Sequence, residues 1–226
     1  MNKTAILLPG FLDSKDYAHL VDLDNKLSIL GYSVVRINPT GTWEGDGDAS
    51  KYSITSYLAD VDNEINKHQN YQEILLAGHS LGGSIALLYA SRNPSVTTAV
   101  GIMCPTTYIR DENMAKINSW RERGYKISNR DLPQNPKKQR EFTLPFSFIE
   151  DSMQYDVTLE ISKLKGRLIL IAGEVDDCVA PKQLKDIYDV ANYPKELIVM
   201  SGIGHDYRHN QDETEKVNQT IINCLQ

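Results

Sequence analysis

Along this chain, short apolar runs alternate with longer stretches whose apolar residues recur every three or four positions. The run at residues 5–8 has the length of a buried strand. After it, Tyr17, Leu20, Leu23, Leu27 and Leu30 follow a helical period, with Ser14 as the expected N-cap and Gly31 as the stop. Residues 33–37 read as a second strand, and Leu58, Val61 and Ile65 mark one face of a helix starting near Ser53. Further strands are expected at 74–77, 98–103, 168–172 and 196–200, and helices at 181–190 and 214–225. Strands that alternate with helices imply a parallel sheet covered on both faces. The expected fold class is therefore α/β, with about six mainly parallel strands.

Residues 105–164 break this alternation. A stretch of about 60 residues is too long for a plain connection. Within it, 111–123 reads as a helix stopped by Gly124, and 125–128 is expected to pair with 141–144 across a polar segment. Phe146, Phe148, Ile149, Met153 and Tyr155 then form an apolar group at mixed spacing. Such a group either anchors the segment to the core or roofs an apolar pocket. Phe148 and Met153 are the candidates for the second role. The chain thus divides into a core of 1–104 with 165–226 and an insertion of 105–164.

The chemistry begins where the strand at 74–77 runs into Gly78-His79-Ser80-Leu81-Gly82 and a helical stretch at 83–90. Strand, G-x-S-x-G, helix is the context of a nucleophile elbow. A serine hydroxyl is a weak nucleophile and must be held exposed beside a base. The sharp turn lifts Ser80 clear of the sheet, and the flanking glycines admit a crowded backbone. Free N–H groups at the start of the helix favour negative charge. Past the strand at 168–172, Asp176 lies on a loop begun by Gly173, and past the last strand His205 follows Gly204 on a glycine-rich loop. Both are positions from which a sheet presents site-forming residues. In the expected roles His205 takes the Ser80 proton, and Asp176 fixes the histidine tautomer.

These motifs, in this order and spread from Leu7 to His205, resemble the α/β-hydrolase-fold serine hydrolases. Within that family the chain is most similar to the small, lidded bacterial esterases and acylglycerol lipase-like members. The resemblance implies the acid motif G-x-x-D-x-x-V-x-P, which Gly173, Asp176, Val179 and Pro181 fit, so Asp176 is chosen over Asp177. It implies an oxyanion hole made by the N–H groups of Leu81 and Phe11, although Pro9 replaces the histidine common before Gly10. It also implies that 105–164 is a lid. The expected activity is hydrolysis of a small-molecule carboxylic ester through an acyl-enzyme, without a cofactor. Thioester or peptide hydrolysis uses the same machinery, and a slow-turnover ligand-binding protein would keep the same residues. Dehalogenase and epoxide hydrolase branches carry Asp where this chain has Ser80.

Composition narrows the partners. A net charge of -6 argues against nucleic acid and anionic membranes. No apolar run approaches the roughly 20 residues that span a bilayer. The apolar run at the start is too short for a signal peptide, so a cytoplasmic protein is expected. Three widely spaced cysteines make neither a disulfide framework nor a zinc site, and no cluster has metal-ligand spacing. Cys178 in the acid loop either lines the pocket or, as the favoured reading, is a small buried filler. The loop at 38–48 lies near the site mouth, where Trp43 either touches substrate or clamps the loop. His79 is expected to be structural and to point away from the reaction, His209 to lie on the surface, and His19 and His68 to sit in helices without a motif.

Overall fold

A computed structural model of the chain describes residues 2–67, 70–110 and 113–226. His68 and the first two positions of the helix expected from Asp111 lie outside the described residues. The chain folds as β1 (Lys3–Leu8), α1 (Ala18–Ile29), β2 (Tyr32–Arg36), α2 (Ile54–Asn66), β3 (Glu73–His79), α3 (Leu81–Arg92) and β4 (Thr98–Ile102). The insertion follows as α4 (Met114–Arg123), β5 (Tyr125–Leu132), β6 (Asn135–Pro145), α5 (Ser147–Ser152) and α6 (Val157–Glu160). The core then resumes with β7 (Arg167–Gly173), α7 (Pro181–Val190), β8 (Lys195–Met200) and α8 (Gln211–Leu225).

Six strands form one parallel sheet in the order β2-β1-β3-β4-β7-β8. Successive strand side chains point to opposite faces, so each central strand needs apolar residues at every position. Leu7, Leu75 and Ile169 pack on the face covered by α1 and α8, with Leu23, Val217 and Ile221. Ile6, Leu76 and Leu170 pack on the opposite face, with residues of α2, α3 and α7. Helix α3 is buried along its whole length except its last residue, Arg92, which suits its continuous apolar sequence. The register pairs Leu8 with Gly78 and Ile102 with His79, so the carboxyl ends of β1, β3 and β4 lie side by side. That rim carries the site.

The structure moves one cap. Helix α1 starts at Ala18 behind Tyr17, not at Ser14. Ser14 Oγ accepts from the Asp16 amide at 3.2 Å, and its carbonyl accepts from Tyr17 N at 3.2 Å. This local turn competes with helix initiation and delays it by one turn. Ser53, by contrast, caps α2 through a reciprocal box with Ser56.

In the insertion, α4 ends at Gly124, whose φ is +77°. The hairpin is longer than the sequence pattern predicts. The polar stretch pairs too, with Asn129 opposite Glu141 and Arg130 opposite Arg140. One face of the hairpin meets water, so its ladder needs no continuous apolar run. Phe142 and Leu144 are buried on the other side, and Trp120 Nε1 donates to the Leu144 carbonyl at 3.2 Å.

Candidate active site

Ser80 sits between β3 and α3 with φ +52°, a backbone conformation that non-glycine residues rarely adopt. Its amide donates to Ile102 O at 2.9 Å, so the neighbouring strand holds the turn. The two glycines of the motif answer to contact. A Cβ on Gly78 would lie 2.2 Å from the Gly82 carbonyl, and one on Gly82 would lie 2.2 Å from the Leu8 carbonyl. The start of α3 is thereby pressed against the end of β1.

Three side chains from three loops meet here. His205 Nε2 lies 3.0 Å from Ser80 Oγ, and His205 Nδ1 lies 2.8 Å from Asp176 Oδ2. The other Asp176 oxygen accepts from the amides of Cys178 at 2.8 Å and Val179 at 2.7 Å. Asp176 is buried with three hydrogen-bond partners, and its carboxylate orients an imidazole that faces the serine. Sequence separations of 29 and 125 residues between these partners are closed by the parallel sheet, which brings all three loops to one rim.

The loop after β1 packs against the serine. The Asp13 amide donates to Gly10 O at 3.0 Å, which makes a turn with Phe11 and Leu12 at its corners. Leu12 takes φ +58°, the third-position geometry that usually calls for glycine. Tyr57 Oη donates to Pro9 O at 3.0 Å, Trp43 Nε1 to Leu12 O at 3.0 Å, and Arg130 Nη2 to Phe11 O at 2.8 Å. These bonds hold the strained turn, and a Cβ on Gly10 would already stand 3.4 Å from Ser80 Cβ.

A cavity of about 300 Å³ opens over Ser80 and His205. Phe11, Leu81, Tyr108, Ile117 and Trp120 give it apolar walls, and charged side chains supply the remainder. Trp43, Phe148 and Met153 do not line it. Trp43 is buried and clamps the loop after β1. Phe148 is fully buried behind the wall, with its ring 5.2 Å from that of Phe11 and 4.8 Å from that of Tyr108. Met153 is 58% exposed on the outside of the insertion.

One expectation, that Cys178 is a buried filler, needs correction. His79 has a structural place: its ring is buried among His19, Tyr207 and His205, 4.8 Å from the His205 ring, and its Nε2 lies 3.1 Å from the His205 carbonyl. Burial holds its imidazole well below the usual histidine range, and the nearby His205, His19 and Arg208 add to this. Cys178 is exposed and lines the cavity, where burial and then Asp176 push its thiol up. Sequence reading also passed over Asp13, Lys126 and Arg130 at the same cavity. Asp13 is buried 3.5 Å from Arg130 Nε, and burial raises its carboxyl above the usual range despite that neighbour.

A family model described as alpha/beta hydrolase fold matches residues 4–156. The chain belongs to the alpha/beta hydrolase fold family. No curated protein matches the sequence of this hydrolase-family member. Among solved structures it is similar to ferulic-acid-bound Est1E from Butyrivibrio proteoclasticus, at 17% identity and TM-score 0.77, covering 99% of this chain and 88% of that one. It is also similar to the Paleococcus ferrophilus monoacylglycerol lipase, at 17% identity and TM-score 0.77, covering 100% and 96%. Mouse alpha/beta hydrolase domain-containing protein 10 matches at 19% identity and TM-score 0.76, covering 98% and 89%. At these identities the likeness is one of fold. No helix among the described residues is long and apolar enough to cross a membrane.

Proposed function

We propose that the protein is a serine hydrolase that cleaves carboxylic esters of small molecules by acyl transfer. The observation that carries this reading is the hydrogen-bonded chain from Ser80 through His205 to Asp176, open to a cavity. Ser80 Oγ attacks the ester carbonyl while His205 Nε2 takes its proton. Asp176, held by two backbone amides, keeps His205 Nδ1 protonated and stabilises the imidazolium. The N–H groups of Phe11 and Leu81 receive the developing oxyanion. Phe11 sits at the second position of its turn, where the turn itself uses no N–H of that residue. Leu81 begins α3, where the helix leaves its first amides free. His205 then protonates the leaving alcohol, and water resolves the acyl-enzyme through the same base.

Residues 105–164 act as the lid, with 1–104 and 165–226 as the core. Tyr108, Ile117 and Trp120 of the insertion face the cavity, so the lid shapes the pocket for the group next to the ester. Phe148 and Trp43 support that pocket from behind. Est1E and the monoacylglycerol lipase are named for ester chemistry, which favours an ester over a thioester or peptide.

Labelling with a fluorophosphonate, read by intact mass, tests the nucleophile. One adduct is expected on the wild type and none on Ser80→Ala. Folded wild type that takes no adduct overturns the reading and leaves a ligand-binding protein in its place.

A further inference from the structure

The cavity has a charge sign opposite to that of the whole protein. The chain carries a net charge of -6, yet five cationic side chains line the space over Ser80 against two carboxylates, Asp13 and Asp206. Long cations normally keep their charged heads in open water, so a group of them facing a partly enclosed cavity needs a reason.

Some of this charge is already answered. Arg208 donates to both oxygens of Asp131, at 2.9 and 3.1 Å. Arg130 spends Nε and Nη2 on the Phe11 carbonyl and lies 3.5 Å from Asp13. Lys126 differs. It projects from β5 on the same face as Arg130, four residues along a strand of period two. Its Nζ lies 5.3 Å from the centre of the Phe11 ring and 5.4 Å from that of Trp120. Among the described residues no carboxylate stands within ion-pair distance of it. Burial, followed by the charges of Arg130 and Lys116, pulls its ammonium below the ordinary lysine range. The surroundings are thus short of negative charge, and aromatic faces compensate only in part.

We infer that the substrate is an ester bearing an anionic oxygen group, in its simplest form a carboxylate, which Lys126 receives with Arg130 and Lys116 beside it. The inference rests on the serine esterase reading and adds the substrate class. Phe11 connects the two. Its ring lies under Lys126 and its N–H is the proposed oxyanion donor, so one residue serves the anion with its side chain and the scissile carbonyl with its backbone. Lys116, Trp120 and Lys126 also line an adjoining groove between α4 and β5, through which the rest of such a molecule can extend. A carboxylate desolvated against an ammonium and an aromatic wall gains more than an exposed pair would.

Matched esters test this. One pair places the charge on the alcohol, 4-acetoxybenzoate against 4-acetoxybenzamide. The other places it on the acyl group, 4-nitrophenyl hydrogen adipate against 4-nitrophenyl hexanoate. In at least one pair the wild type should favour the anionic ester in kcat/KM by about tenfold, through KM, with the preference shrinking as salt is raised. Lys126→Met should erase that preference, and Lys126→Arg should restore most of it. Dividing the two rates of a pair cancels any general loss of folded enzyme. A preference for the neutral ester in both pairs overturns the inference, as does a ratio that Lys126→Met leaves untouched. The latter result would make Lys126 a helper of the oxyanion, acting on every ester alike. Turnover of neutral esters that depends on Ser80 keeps the esterase reading alive in either case. Absence of Ser80-dependent turnover on all four compounds overturns both. Phosphonate analogues of the preferred pair then separate a carboxylate from a phosphate-like group.

Discussion

His19 and His79 sit in the fold as neutral rings. His19 is buried, with a ring centre 5.3 Å from that of His79 and 5.5 Å from that of Tyr207, and neither of its ring nitrogens has a hydrogen-bond partner. Burial pushes its pKa down to about 3, aided by Arg208 and His209. An unfolded histidine titrates near 6.5, so between the two values the unfolded chain binds more protons than the native one. Stability is therefore complete above about pH 6.5 and is lost as the pH falls toward 3. Urea unfolding from pH 7 to pH 5 should show a loss on the order of 1 kcal/mol per pH unit from this residue. His19→Phe, which removes the buried nitrogens and keeps a ring, should flatten that acid limb. An equally steep limb in the variant would assign the acid sensitivity to other groups.

At the scale of elements, two glycines show how differently the same residue can matter. Gly124 ends α4 with φ +77° and has open space where a Cβ would go. Gly124→Ala meets only backbone strain, and a cost of about 1 kcal/mol in chemical denaturation is expected. Gly82 lies in the first turn of α3, where a Cβ would press on the Leu8 and Pro9 carbonyls at 2.2 and 2.4 Å. Neither backbone can yield without moving the turn that carries Phe11. Gly82→Ala should cost several kcal/mol, about 3 or more, and should slow fluorophosphonate labelling in whatever protein remains folded. Equal, small effects at both positions would mean that the elbow has more slack than its contacts imply. The hairpin β5–β6 makes the complementary point: its inner face mixes Lys126, Ser128 and Arg130 of β5 with buried Phe142 and Leu144 of β6, so two cations can be held against the site without a continuous apolar strand.

At the scale of the molecule, the site is a product of parallel topology closed from behind by the last helix. Asn218 on α8 donates to the His19 carbonyl at 2.8 Å and to Asp22 Oδ2 at 2.8 Å, which ties the chain's end to α1. Thr214 Oγ1 donates to Tyr207 O at 3.2 Å, so α8 also fixes the segment just after His205. Asn218→Ala leaves buried acceptors unanswered and should lower unfolding free energy by about 1–3 kcal/mol. At 25 °C, while the protein stays folded, labelling of Ser80 should keep its wild-type rate. A large loss of labelling without a loss of stability would show that α8 acts on the site directly and not through the fold.

The sequence by itself determined the order of strands and helices, the elbow at Ser80, and the loops that carry Asp176 and His205. Those features are local. A buried parallel strand must be apolar at consecutive positions, a helix repeats every 3.6 residues, and each site residue follows a strand end within a few positions. Only the tertiary structure decided what surrounds them. Trp43, Phe148 and Met153 are apolar in the sequence in the same way, yet one clamps a loop, one backs a wall and one faces water. Lys126 and Arg130 carry no local sign that they turn toward the cavity. A charge in a sequence has no direction; whether it meets solvent or substrate depends on packing between residues far apart in the chain, and that packing exists only once the hairpin has closed over the sheet.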